Sequence, residues 1–313
     1  MQRQNAARRQ AKSFITKTSV MRHEVNERKT MLLAILIGII VVALLLAAAV
    51  PMAYFRWKQQ RRRQWFQTPF PPEWTTILEQ DVALYRVLPP DLQRELQGHI
   101  QVFLQEKEFE GCAGFEVTLQ VKLVLAALAC LLLLNKPQEY YPTLRSVLIY
   151  PGAFLVNGRW RENSGVYEDG MDVHLGESWQ HGAVALAWDQ VLHDSRRPRS
   201  RQNVVIHEFA HQIDQHKGFS EGAAVFASAD QAERFARAVR REFEHLRHEV
   251  DDGIDDVIDE YGVVSPMEFF AVATEAFFTM PEELRRFHAE LYNCLVNFYR
   301  LDPASWRDAN GNQ

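Results

Sequence analysis

Met31 to Val50 is an unbroken uncharged, apolar run of twenty residues, and no charge appears before Arg56. At 1.5 Å per residue, a twenty-residue helix is ~30 Å long, which matches the hydrocarbon thickness of a bilayer. Thirty residues precede the run, whereas a cleaved signal has a short basic start and an apolar core of roughly 7–15 residues. The pattern therefore predicts an uncleaved transmembrane helix over residues 31–55, with Tyr54 and Trp57 near the headgroup layer. A second apolar run, Leu123 to Leu134, has twelve residues between Lys122 and Asn135. That is too short to span, and it predicts a buried core helix over residues 118–134.

Farther along, the periodicities are mixed. One helix is expected before Pro89–Pro90, and another, opened by Asp91 as N-cap, is expected to run to about Lys107. Its apolar stripe is Leu92, Leu96, Ile100, Val102, Phe103 and Leu104. Ser146 to Tyr150 reads as a buried strand ended by Pro151–Gly152. Gly182 to Leu192 reads as another, because Val184, Leu186 and Trp188 alternate with alanines. Arg196 to Arg201 is a polar, basic turn. From Gln202 to about residue 300 the pattern is helical, broken at Asp251–Gly253, Gly262–Pro266 and Pro281. Helices, a few strands and then helices predict a mainly helical α+β domain. The expected organisation is a basic tail (1–30), the span (31–55), a juxtamembrane linker (56–75), a catalytic-size domain (76–305) and a short C-terminal tail (306–313).

Charge sharpens this division. Residues 1–63 carry 13 Lys and Arg against Glu24 and Glu27, while the remaining 250 carry 22 against 38 Asp and Glu. So acidic a body lacks the basic face that direct nucleic-acid binding needs. Lys17, Arg22, Arg28 and Lys29 precede the span, and Arg56, Lys58, Arg61, Arg62 and Arg63 follow it within eight positions. This asymmetry puts the C-terminal body on the cytoplasmic side of a single-pass membrane protein. Cys112, Cys130 and Cys294 are odd in number and widely spaced, with no disulfide framework, which agrees with that side.

The strongest chemical signal is Val204-Val205-Ile206-His207-Glu208-Phe209-Ala210-His211-Gln212-Ile213-Asp214. On a helix, His207 and His211 lie one turn apart on one face, so both imidazoles reach one Zn²⁺ at ~2.0–2.1 Å. Glu208 then stands beside the ion, where it can take a proton from an attacking water and pass it to a leaving amine. The apolar flanks make this a buried helix, in which two histidines and a glutamate without partners would cost several kcal/mol. A catalytic zinc has three protein ligands and one open position. A third histidine in the extended HExxHxxGxxH spacing would fall on Lys217, and its glycine on Asp214, so that class is excluded, although His216 is near. Asp214, three residues past His211, is expected to accept a hydrogen bond from a ligand imidazole.

The third ligand is sought on another helix. Ser265-Pro266-Met267-Glu268-Phe269-Phe270-Ala271-Val272-Ala273-Thr274-Glu275-Ala276-Phe277-Phe278 reads as a buried helix with Pro in its first turn. Glu268 and Glu275 lie two turns apart on one face among Phe and Ala. Two acids on an apolar face are accounted for by a metal: Glu268 as ligand, Glu275 as a carboxylate supporting one. Tyr261, seven residues before Glu268, could donate its phenol to the oxyanion of a tetrahedral intermediate.

These segments resemble the Mlc titration factor A family of zinc peptidases. The likeness is carried by His207 to Asp214, Tyr261, Pro266 to Val272 and Thr274 to Phe278, and upstream by Leu148 to Phe154 and Ser178 to Gly182. It runs from about Leu88 to Pro303. A more distant similarity, through Tyr261 and Glu268-Phe269-Phe270-Ala271, is to the catalytic domain of anthrax lethal factor. The resemblance implies a zincin-like metallopeptidase domain with His207, His211 and Glu268 on one Zn²⁺, Glu208 as base and Tyr261 in the site. It also implies an aminopeptidase or short-peptide hydrolase, and a namesake that binds the repressor Mlc. The departure is the apolar segment 31–50, which soluble family members lack.

Two functions follow as expectations. The first is a membrane-anchored zinc peptidase acting on peptide or protein substrates, with the strand at 182–192 aligning an extended chain. The second is a non-catalytic zinc protein that sequesters a transcriptional regulator. A membrane-embedded protease is disfavoured, because the motif helix lies far from the single span.

Overall fold

The computed structural model describes residues 2–136, 139–161, 167–174, 176–179, 182–217 and 229–306. The chain divides into two units, Met1–Arg63 and Gln64–Gln313. The first is almost entirely helix α1 (Gln2–Phe66), which runs unbroken through Pro51. The N-terminal thirty residues thus join the apolar run in one helix, as expected where Ala, Gln, Arg, Lys and Glu follow one another with no Gly or Pro. From Leu36 the helix is long and apolar enough to cross a membrane, and its Leu, Ile and Val side chains are exposed. Because α1 extends to Phe66, the expected linker at 56–75 narrows to the turn before Pro72. Trp65, Phe66 and Phe70 already pack on the second unit's core.

The second unit continues with α2 (Pro72–Asp81), α3 (Ala83–Val87) and α4 (Pro90–Glu106). Pro89 occupies the N-cap of α4 and Asp91 falls in its first turn, so Asp91 faces the helix dipole as an acid rather than capping it. Then come β1 (Glu108–Gly111) and α5 (Leu119–Leu131), which is capped by Thr118. Every residue from Leu123 to Leu134 is buried. This is the core helix that the second apolar run predicts; it packs against α2, α4 and, farther along the chain, the metal-motif helix.

The strands follow: β2 (Ser146–Tyr150), β3 (Phe154–Arg161), β4 (Tyr167–His174), β5 (Gly176–Trp179) and β6 (Ala183–Ala187). One sheet has the order β1-β2-β6-β5, parallel except for β5, and β3 pairs with β4 in a separate hairpin. The expected strand at 182–192 ends early. Helix α6 (Trp188–Ser195) begins at the last residue of the alternation, because five strand residues are too few for periodicity to mark their end. β6 is also interior, hydrogen-bonded to β2 on one side and β5 on the other, so it has no free edge for an extended substrate. Among the described strands the edge on that side is β5.

The C-terminal half holds α7 (Val204–Lys217), α8 (Ala229–Asp251), a 3₁₀ turn at Glu260–Val263, α9 (Pro266–Thr279), α10 (Pro281–Phe287) and α11 (Ala289–Tyr299). α7 packs on α9, and the 3₁₀ turn lies against both α8 and α9. Gly262 permits that approach: a Cβ there would stand 2.8 Å from Val272 Cγ2 and 3.0 Å from Leu246 Cδ2. The tail beyond Trp306 and the side chain of His216 lie outside the described residues.

At the α10–α11 junction, His288 is buried between two carboxylates. Nδ1 is 2.9 Å from Glu242 and Nε2 is 2.8 Å from Asp256. Burial opposes charge on the ring, but these hydrogen bonds prevail and lift it to about 9. The His288 hydrogen bond likewise holds Glu242 below the ordinary range, and it keeps Asp256 low against its own burial. A histidine raised from ~6.5 stabilises fully below that value and loses its contribution as pH rises through the folded one. Stability that wild type holds over His288→Gln at pH 6.5 should therefore shrink by pH 10. Thermal midpoints of both proteins across that range check this, and a constant difference would contradict it.

Candidate metal centre

α7 is aimed at the site by its own N-terminus. Asn203 Oδ1 accepts from Ile206 N–H at 3.1 Å, and Asp194 at the end of α6 accepts from Val204 N–H at 3.1 Å. Together they satisfy donors that a helix start leaves unpaired. Asn203 precedes the apolar run, so its capping role was readable in the sequence. Asp194 comes from a separate helix, and no local signal marks it.

α9 begins at Ser265, whose hydroxyl accepts from Glu268 N–H at 3.2 Å, with Pro266 in the first turn. Ser265 and Glu268 have capping-box spacing, which would turn the glutamate back onto the cap. Instead its carboxylate points at α7. Glu268 Oε2 lies 3.0 Å from His207 Nε2 and 3.2 Å from His211 Nε2, and the two Nε2 atoms are 3.1 Å apart. These residues form a cluster that can hold a metal ion. A tetrahedral ion ~2.0–2.1 Å from each ligand separates its ligands by ~3.3 Å, so the three atoms already form one triangular face of such a site. The sides agree to within a few tenths of an ångström, and the donor set of two imidazoles and a carboxylate suits a divalent ion.

Electrostatics says the same. Burial opposes a charged His207, yet hydrogen bonds to Glu268 and Glu275 lift it to about 10. Burial likewise opposes the Glu268 carboxylate, yet the two imidazoles bring it down to about 2. The pocket is thus organised around a positive charge that a metal can supply in place of the proton.

The surroundings distinguish the remaining candidates. Glu275 Oε1 lies 2.8 Å from His207 Nδ1, and its Oε2 accepts from Asn203 N–H. It therefore fixes the ring that faces the cluster and ties α9 to the start of α7. Burial raises its carboxyl above the ordinary range. Glu208 is 5% exposed, and burial, opposed by the two histidines, pushes its carboxyl up to about 7. Tyr261 is 52% exposed, its ring centroid 6.1 Å from that of His207. Asp214 is buried but meets neither imidazole. Nδ1 of His207 is taken by Glu275, and Nδ1 of His211 has no hydrogen-bond partner among the described residues.

A pair of histidines one turn apart on a helix, His211 buried and His207 partly exposed, joined by a glutamate from a second helix and backed by a small sheet, defines a metallopeptidase-type domain. The chain belongs to the glucose-regulated metallo-peptidase M90 family, which matches residues 55–300. It is 38% identical over 272 residues to an uncharacterised protein of Synechocystis, covering 87% of this chain and 96% of that one. Mlc titration factor A of Klebsiella pneumoniae is 32% identical over 213 residues, 67% of this chain and 80% of the relative. Its Escherichia coli counterpart is 30% identical over 254 residues, 80% and 93% respectively.

Proposed function

We propose that this chain is a membrane-anchored zinc peptidase that hydrolyses peptides at the His207–His211–Glu268 centre. The observation that carries the reading is the ligand count: three converging atoms form one face, with buried Glu208 next to the first histidine. A structural zinc is ordinarily closed by four protein ligands, whereas a catalytic one keeps a position open. Bound there, zinc supplies a Lewis acid and lowers the pKa of a water. Glu208 accepts the proton of the attacking water and delivers it to the leaving amine. Glu275 holds the His207 ring through Nδ1, and the Tyr261 phenol donates to the developing oxyanion. β5, the edge strand on that side among the described strands, lies beside α7, and an extended peptide would align along it. The test is hydrolysis of amino-acid amides and short internal peptides by wild type and Glu208→Gln; equal activity in the two would sink the proposal.

The anchor reading rests on the exposed apolar surface of α1. The Tyr54 and Trp57 rings lie tilted with centroids 5.9 Å apart, and Arg61 lies 5.2 Å from the Trp57 ring, a grouping suited to a headgroup layer. The basic residues that follow the span, Arg56 to Arg63, favour a cytoplasmic catalytic unit. Membranes should retain the full chain after a carbonate wash and release a chain that starts at residue 64.

A second reading comes from the names of the relatives. Mlc titration factors are named for a regulator, and a tethered body of this family could sequester one. Under that reading Glu208→Gln keeps partner binding, and its hydrolytic defect has no bearing on regulation.

A further inference from the structure

Residues 252–264 lead from α8 to α9 and carry Tyr261. Successive side chains of this segment are gripped from two directions. Asp255 pairs with Arg201 (Nη2 to Oδ2, 2.7 Å), and Asp259 accepts from the Gln202 amide at 3.1 Å; both partners lie in the approach to α7. Asp256 is held by His288 at the α10–α11 junction, whose other nitrogen is anchored to Glu242 on α8. Val257 and Ile258 then enter the core. Asp259 accepts from Tyr261 N–H at 2.9 Å and opens the 3₁₀ turn.

We propose that His288 is a positioning residue: by clamping Asp256 to Glu242, it holds the 252–264 segment so that Tyr261 stands over the metal centre. A buried ion triad contributes little net stability over an apolar trio of similar volume. Its hydrogen bonds have fixed directions, however, and these determine where the Asp256 backbone lies. Other groups around the ring reinforce the arrangement. On α8, His245 lies with its ring 6.1 Å from that of His288, and burial, with Asp256 beside it, raises the Glu249 carboxyl above the ordinary range. Arg241 neutralises Glu242 at 2.6 Å and reaches Glu290 of α11 at 2.6 Å. None of the contacts described for His288 reaches His207, His211 or Glu268, so an effect on the centre would run through the segment.

The catalytic side of this inference rests on the peptidase reading; the structural side does not. The experiment is amide hydrogen exchange on the full-length protein in detergent, comparing wild type, His288→Gln and Asp256→Asn. Steady-state kinetics on a peptide amide are run alongside, with and without Tyr261→Phe. The expected result is exchange at residues 254–264 faster by about tenfold or more, with α7 and α9 unchanged and zinc content retained. kcat should fall with KM little altered, and His288→Gln should cause no further fall once Tyr261→Phe is present. Unchanged exchange in the segment overturns the inference, as does an equal rise across α7 and α9 or an equal kcat loss in the Tyr261→Phe background. Asp256→Asn breaks the clamp from the loop side and decides the matter if His288→Gln does not fold. If wild type hydrolyses nothing, the peptidase reading falls, and exchange alone keeps or overturns the clamp.

Discussion

Glu208→Gln should lower kcat on a peptide amide by about 10²–10⁴-fold while leaving the metal in place. The side chain is 5% exposed and is not one of the three clustered ligands. The amide matches the carboxylate in shape but cannot accept the proton of an attacking water. The ligand triangle of His207, His211 and Glu268 is untouched, so metal content measured by atomic absorption should equal that of wild type. Folding should not suffer either. Burial outweighs the two histidines and pushes this carboxyl up to about 7, so its charge is costly there, and a neutral amide of the same shape avoids that cost. The two readouts together separate loss of the base from loss of the site.

Glu275→Ala should have the largest structural effect. The carboxylate is 3% exposed, and its two oxygens serve His207 Nδ1 and Asn203 N–H. Truncation leaves both donors buried without a partner, at about 1–3 kcal/mol each, and a cavity beside Phe and Ala. The His207 ring is then free to turn, so metal affinity should fall by about 10–100-fold, the usual cost of losing a carboxylate behind a ligand histidine. Glu275→Gln retains an oxygen for one donor and should lie between. Thermal midpoints with and without added zinc separate the two losses. The zinc-induced rise should shrink in Glu275→Ala, and a rise equal to wild type would show that the carboxylate supports only the fold.

Much of this site was legible in the sequence because it depends on local spacing. His207 and His211 are four apart, Glu268 and Glu275 seven apart, and each pair shares a helix face whatever the tertiary structure does. The apolar run at 123–134 likewise announced its own burial. What was hidden depends on contacts between distant segments. The sheet order β1-β2-β6-β5 joins strands far apart in the chain, so the interior place of β6 and the edge place of β5 could not be read from alternation. Asp214 shows a different limit. Its spacing places it near His211, yet His211 Nδ1 has no hydrogen-bond partner among the described residues, and the carboxylate behind the other ligand, His207, comes from α9 as Glu275. His288 carried no motif, since its partners lie 46 and 32 residues upstream.

The account stands on His207, His211 and Glu268 binding one ion together. Metal analysis with zinc-edge X-ray absorption on the full-length protein in detergent tests this directly, with His211→Ala and Glu268→Ala alongside. The predicted result is one zinc per chain, bound by two imidazole nitrogens and oxygen, with each substitution stripping the ion. A wild-type protein without zinc, or one whose zinc survives both substitutions or is bound through sulfur, would contradict it.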